Sequence, residues 1–285
     1  FPTLLPRLDR DTAITLTRIM GSAGILGGKE GVMAIPPFRE PHPAASVEGM
    51  TGGGLKLRPG EISLAHGGAL FLDEAAQFKT SVLQSLRAPL ETGFVSVNRA
   101  GRTARYPARF QLLVSMNPCA CGNYGSSSRA CVCAPESIDR YWKRLASPLL
   151  DRIDLRIRVD LPDVNGFIAP GERRVTEAMR ERIARARKAQ WGRNRDAEGV
   201  WKERGWLNAH LEAGEAERLC APCAEAREEF AKDVAEHALS GRGAHGILKV
   251  ARTIADLAGS GEMTGEHVRE AASFRKREDG DPIAL

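Results

Sequence analysis

Apolar and polar positions along the 285 residues fall into two regimes. Through residue 164, short apolar runs alternate with joints rich in glycine and proline, a pattern of strands with helices between them. Gly68-Ala69-Leu70-Phe71-Leu72 is apolar throughout and bounded by glycine, which predicts a strand buried on both faces, as in a parallel sheet. Phe110 to Met116 predicts a second buried strand, ending at Asn117-Pro118. Ile153 to Val159 alternates apolar and charged residues and predicts a half-exposed strand. Helical spacing appears from Thr12 to Met20 and from Lys79 to Leu90, where Val82, Leu83, Leu86 and Leu90 share a face. Phe94–Val97 and Thr103–Tyr106 flank the basic segment Asn98–Arg102, a predicted hairpin. The stretch from Pro36 to Pro43 cannot be helix and reads as a rigid loop, running on to Gly52-Gly53-Gly54. From residue 165 onward strands give way to segments rich in Ala, Arg and Glu. These predict helices near Thr176–Trp191, Asn208–Leu219, Ala224–Leu239, Gly246–Ala258 and Thr264–Lys276. The fold class is thus an α/β core over 1–164 followed by an all-α lid over 165–285.

The predicted strand at 68–72 ends abruptly in Asp73-Glu74. Two carboxylates at the carboxyl edge of a parallel sheet stand where α/β folds bind ligands. Nucleotide hydrolysis needs such a pair, one carboxylate to hold Mg²⁺ through its water shell and one to polarise the attacking water. This is a Walker B pattern; the alternative is an Asp that merely caps the next helix. Asn117, at the end of the second buried strand, could orient water against a γ-phosphate, or could simply start a turn. Arg152, in Leu149-Leu150-Asp151-Arg152-Ile153-Asp154, could reach a neighbouring subunit's nucleotide or form a surface Asp–Arg pair. Arg242 could contact phosphate from the lid, or stand solvated at a helix N-terminus.

With 27% charged and 42% hydrophobic residues the chain has the balance of a globular domain rather than a disordered or membrane protein. No apolar run approaches the roughly 18 residues needed to span a bilayer, and no leader pattern opens the chain, which predicts a cytoplasmic protein. A net charge of +5 leans mildly toward polyanionic partners. Cys119-x-Cys121 and Cys131-x-Cys133 form two close pairs separated by a Gly/Ser-rich loop, a set suited to structural Zn²⁺; free thiols in a reducing cytosol are the alternative. Cys220 and Cys223 lack a partner pair and read as structural. Arg99, Arg102, Arg105 and Arg109 on the hairpin, with Lys56 and Arg58 before the acidic strand, are candidates for gripping nucleic-acid phosphates, against the simpler reading of solvated tips. The basic run Arg173–Arg195 reads as a solvated helix face.

An ordered set of motifs then carries a resemblance. Pro37-Phe38-Arg39-x-Pro41-His42, Arg58 to His66, Leu70-Phe71-Leu72-Asp73-Glu74, Met116-Asn117-Pro118-Cys119-x-Cys121-Gly122, Pro148 to Asp154, Leu239-Ser240-x-Arg242 and Val250 to Leu257 together resemble the magnesium-chelatase-like AAA+ ATPases of the ComM/YifB type. The resemblance implies a AAA+ parallel-sheet core with an all-α lid, ATP and Mg²⁺ as ligands, and a homo-oligomeric ring, a hexamer. It makes Asp73 and Glu74 Walker B, Asn117 sensor 1, Arg152 an arginine finger and Arg242 sensor 2. It also implies helicase or branch-migration work on single-stranded or branched DNA.

Two departures qualify it. The phosphate loop is missing: its nearest imitation, Gly27-Gly28-Lys29, has Ala23 for the first glycine and Glu30 for the Mg²⁺-binding hydroxyl. Phe1 to Pro6 resembles the segment just after a phosphate-loop helix, so the chain is expected to be a fragment that binds ATP poorly and does not turn it over alone. Pro43-Ala44 also stands where the family has a second His and then Thr. Two other readings stay open, a chelatase motor subunit driving metal insertion into a porphyrin and a zinc-stapled interaction module without catalysis.

Overall fold

The computed structural model describes residues 1–27, 31–99, 101–126, 129–145, 147–159, 173–194, 207–236 and 239–275. Lys29 and Glu30 of the rejected phosphate-loop imitation lie outside them. Two compact units emerge, Phe1–Arg152 and Ile153–Lys276.

The first unit begins with α1 (Arg10–Ala23), started by Asp9, whose carboxylate accepts from the N–H groups of Asp11 at 3.1 Å and Thr12 at 3.0 Å. Leu16, Ile19 and Met20 recur at helical spacing and bury against Leu64. There follow β1 (Phe38–Arg39), α2 (Val47–Thr51), β2 (Gly52–Gly53), β3 (Arg58–Pro59), α3 (Glu61–Leu64) and β4 (Ala69–Leu72). Next come α4 (Thr80–Ser85), α5 (Arg87–Thr92), β5 (Phe94–Arg99), β6 (Arg102–Pro107), β7 (Gln111–Val114), α6 (Pro135–Lys143) and α7 (Ser147–Leu150).

Strands β1, β4 and β7 form a parallel sheet with β4 in the middle, Phe38 opposite Ala69 and Leu72 opposite Val114. The expected strands at 68–72 and 110–116 are therefore neighbours. β1 lies inside the proline stretch read as loop: Phe38-Arg39 escapes the prolines on either side for only two residues, and the Ala69 N–H reaches the Pro37 carbonyl at 2.9 Å. Gly68 is required there, because a Cβ would lie 1.9 Å from that carbonyl oxygen. The helix expected over 79–90 is two short ones, since Pro89 clashes with the carbonyl of Ser85, where α4 stops. β5 and β6 pair antiparallel from Phe94 opposite Pro107 to Arg99 opposite Arg102, with Val95 and Val97 turned inward. Buried His66 accepts the Arg109 N–H at Nδ1 over 3.1 Å, joining the segment before β4 to the segment before β7.

In the second unit, Ile153–Val159 is irregular backbone and not the expected strand. The Arg156 N–H goes to the Phe274 carbonyl and Asp154 pairs with Arg275 at 2.8 Å, so helix-end partners take the place of a strand ladder. Helices follow: α8 (Arg173–Asn194), α9 (Ala213–Leu219), α10 (Ala224–Glu236), α11 (Gly241–Ala258) and α12 (Gly265–Ser273). The helix read from Asn208 breaks at Leu211, and α11 starts earlier than Gly246 because Ser240 caps it, accepting from the Gly243 N–H at 3.1 Å. Ile247, Ala251, Met263, Val268 and Ala272 centre the core. A buried polar knot joins α8 to α11. Asp256 accepts from Arg193 at 2.9 and 2.7 Å, from Arg252 at 3.1 Å and from the Asn208 amide at 3.0 Å.

Candidate functional site

The parallel sheet carries Asp73 and Glu74 to the carboxyl end of its central strand, and both side chains are exposed. The adjoining strand β7 runs past its last ladder pair and extends the contact through Ser115. The Ser115 N–H donates to the Leu72 carbonyl at 3.0 Å, and its own carbonyl accepts from the Ala75 N–H at 3.0 Å. Its hydroxyl donates to Asp73 Oδ1 and accepts from the Glu74 N–H at 3.0 Å. One hydroxyl thus fixes both acidic residues. Glu74 has a left-handed backbone, φ 49° and ψ 51°, rare for a residue with a Cβ and the kind of strain that gathers at functional sites. Its Oε2 accepts from the Gln77 side-chain amide. Asp73 is therefore not a helix cap: the turn after it begins at Glu74, whose side chain caps nothing.

Asn117 is exposed, two residues beyond Ser115. Helix α6 closes over this segment. Trp142 Nε1 donates to the Pro118 carbonyl at 2.9 Å, and the Arg144 guanidinium donates to the Ala76 carbonyl at 2.9 Å. The Asn117 N–H faces the Tyr141 oxygen. That phenol is held above the usual tyrosine range, first by partial burial and then by the negative charges of Cys119 and Glu74. Ser115 falls in the expected strand 110–116 without a site role, and Gln77, Tyr141, Trp142 and Arg144 are not among the expected site residues, with no element expected at 135–143. Pro135 at the first helical position was a usable signal for α6.

Arg152 follows α7, and its guanidinium donates to Glu91 Oε2 at 2.8 Å while only 10% exposed. One partner of Arg152 is thus on α5, far from it in the sequence. Arg242 is exposed in the first turn of α11.

Immediately after Asn117, the sulfurs of Cys119, Cys121, Cys131 and Cys133 all lie within 4.8 Å of one another. Three edges of this cage measure 3.3, 3.7 and 3.6 Å. A tetrahedral zinc with bonds of about 2.3 Å needs sulfur–sulfur edges of about 3.8 Å, so the cage is close to metal-ready. Backbone N–H groups of Asn123, then Val132, pull the Cys121 thiol down to about 6, helped by Cys119. The Cys133 N–H pulls Cys131 the same way, but burial and the Cys121 and Cys119 sulfurs outweigh it and push that thiol up to about 12. Four crowded sulfurs cannot all ionise without a cation among them, and the donor set fits a divalent thiophilic ion. Cys220 is instead packed in the core of the second unit, where burial pushes its thiol up to about 11.

The basic candidates Arg99, Arg102 and Arg105 are exposed on the β5–β6 hairpin, and Arg105 stacks over the Phe94 ring at 3.7 Å. Lys56 and Arg58 are exposed beside Leu55, itself 81% exposed at the β2–β3 turn. The Tyr106 hydroxyl donates to the Leu57 carbonyl at 2.6 Å and ties the two hairpins together. Arg109 departs from this group, since its guanidinium donates to the Thr92 carbonyl at 3.3 Å.

Sequence comparison agrees with this architecture. Residues 1–165 match the family described as magnesium chelatase, subunit ChlI, and residues 173–275 match its C-terminal counterpart. The chain belongs to the magnesium chelatase ChlI family. Within the family it is 40% identical over 279 residues to YifB of Escherichia coli K12, covering 95% of this chain and 51% of that protein. It is 41% identical over 241 residues to the competence protein ComM of Haemophilus influenzae, covering 84% and 45%. A Mycobacterium tuberculosis protein is 38% identical over 278 residues, covering 96% and 53%. This ChlI-family chain spans about half the length of the curated relatives it matches. Among its described residues no helix is long and apolar enough to cross a membrane.

Proposed function

We propose that this chain is the catalytic core and lid of a AAA+ ATPase, the engine of a homo-oligomeric, hexameric ring that works on single-stranded or branched DNA. The observation that carries the reading is the exposed Asp73-Glu74 pair at the carboxyl end of the central parallel strand, braced by Ser115 of the neighbouring strand. Asp73 would hold the hydrated Mg²⁺ of the nucleotide, which when bound neutralises charge on the phosphates. Glu74, with its strained backbone and Gln77 partner, polarises the attacking water. The Asn117 amide orients that water. Arg152 acts on the nucleotide of an adjacent subunit after leaving Glu91, and Arg242 contacts phosphate from the lid. The 285 residues contain no phosphate-loop motif, so turnover is proposed for a polypeptide that carries one ahead of this sequence.

DNA as partner is supported by the joined hairpins bearing Lys56, Arg58, Arg99, Arg102 and Arg105, and by the name of the competence relative. Zn²⁺ in the four-cysteine cage is the structural cofactor of the reading. The family description favours one rival, a chelatase motor driving metal into a porphyrin through a partner. ATP turnover measured with single-stranded DNA, branched DNA or no DNA separates them. Stimulation by DNA that vanishes with Arg99→Ala/Arg102→Ala supports the motor, whereas turnover indifferent to DNA and raised by a porphyrin-binding partner supports the rival.

A further inference from the structure

We infer that the metal in the cysteine cage is a positioning device for the acidic site, acting through α6. The inference rests on reading Asp73-Glu74 as the hydrolytic pair. Cys119 lies two residues after Asn117, and Cys133 lies two residues before Pro135, where α6 begins. One ion bonded to all four sulfurs therefore ties the end of the Asn117 segment to the root of α6. The far end of that helix returns to the same segment. Trp142 Nε1 grips the Pro118 carbonyl, the Tyr141 oxygen faces the Asn117 N–H, and Arg144 at the helix C-cap grips the Ala76 carbonyl in the turn begun by Glu74.

The contacts close a loop from metal to helix to acidic turn and back. A nine-residue helix with an alanine N-cap and no side-chain cap bond has little stability of its own. Ile138 is its one side chain buried in the core, so the cage supplies the anchor at its first turn. Tyr141, Trp142 and Arg144 are positioning residues: they set where Asn117 and Glu74 stand without touching the reacting atoms. The ligand chemistry is a divalent, thiophilic, tetrahedral ion, Zn²⁺, bound by four thiolates that release their protons on binding.

The test is hydrogen exchange on the whole chain, loaded with Zn²⁺ and then stripped by a chelator under reducing conditions, with metal content measured alongside. The expected result is one Zn²⁺ per chain and, on stripping, about tenfold faster exchange of the amides at 74–78 and 115–120, with the β5–β6 hairpin unchanged. Trp142→Phe, which leaves the cage intact, should keep the Zn²⁺ and still speed exchange of the Asn117 amide, which faces the neighbouring Tyr141. A change confined to 121–133, or no bound Zn²⁺, overturns the inference. Exchange needs no nucleotide, so this result stands apart from turnover. In a polypeptide that also carries the phosphate loop, a zinc-loaded protein that never hydrolyses ATP sinks the catalytic reading. One whose kcat is untouched by stripping sinks the positioning role.

Discussion

His66 lies just ahead of β4 with 7% of its surface exposed, its Nδ1 accepting from the N–H of Arg109, just ahead of β7. Burial, and then the nearby Arg109 charge, press its ring down from 6.5 to about 4, with Asp9 opposing weakly. A protonated Nδ1 would turn a proton toward the N–H it now accepts from. The unfolded chain takes up this proton near 6.5 and the folded chain only near 4, so the unfolded state binds more protons between those values. The stabilisation is complete above 6.5 and is lost as pH falls toward 4. Linkage over that window gives a loss of about 2 kcal/mol at pH 5, approaching about 3 kcal/mol below pH 4. The assay is hydrogen exchange of the Leu70 and Leu113 amides, which the parallel register places in the ladder between β4 and β7, at pH 7.5 and pH 5, corrected for intrinsic rates, in the natural chain and in His66→Gln. The glutamine keeps an acceptor and does not titrate, so its sheet protection should fall less by that margin. Equal pH dependence in both proteins would refute the assignment of a suppressed, neutral His66.

Ser115→Ala removes the hydroxyl that holds both acidic residues, and should cost only about 1 kcal/mol of stability because the lost bonds lie near the surface. In a phosphate-loop-bearing polypeptide the same change should lower kcat by roughly tenfold or more through misplacement of Asp73 and Glu74, with steady-state kinetics as the check. Asp256→Ala strands the guanidiniums of Arg193 and Arg252 inside the second unit, for a loss of about 3–5 kcal/mol, read by exchange of the α11 amides. Protection in α11 that survives this change would contradict a structural role for the knot.

The backbone of the site was legible wherever a local pattern decided the outcome. The apolar run before Asp73 and the run before Asn117 became adjacent parallel strands, and the hairpin and most helices in the second unit fell within a few residues of their expected bounds. What the sequence hid was non-local. Ser115 reaches residues 41 and 42 positions away, and Trp142 reaches back 24 to Pro118. No periodicity announces such partners. β1 was hidden by flanking prolines, α6 by its brevity and its neighbouring cysteines. Ile153–Val159 deceived in the other direction, because its alternation satisfies a strand template although Asp154 and Arg156 find partners at the end of α12. The four cysteines were a spacing in sequence, and only folding turned that spacing into a cage.

Glu74→Gln bears most directly on the whole reading, because it keeps the shape of the turn and removes only the charge that polarises water. In a polypeptide carrying a phosphate loop ahead of this sequence, ATP affinity and single-turnover hydrolysis should be measured on the same preparation. Affinity within about threefold of the natural protein, with hydrolysis slowed about a hundredfold or more, is the predicted outcome. Hydrolysis that continues at the natural rate would contradict a catalytic role for the acidic pair.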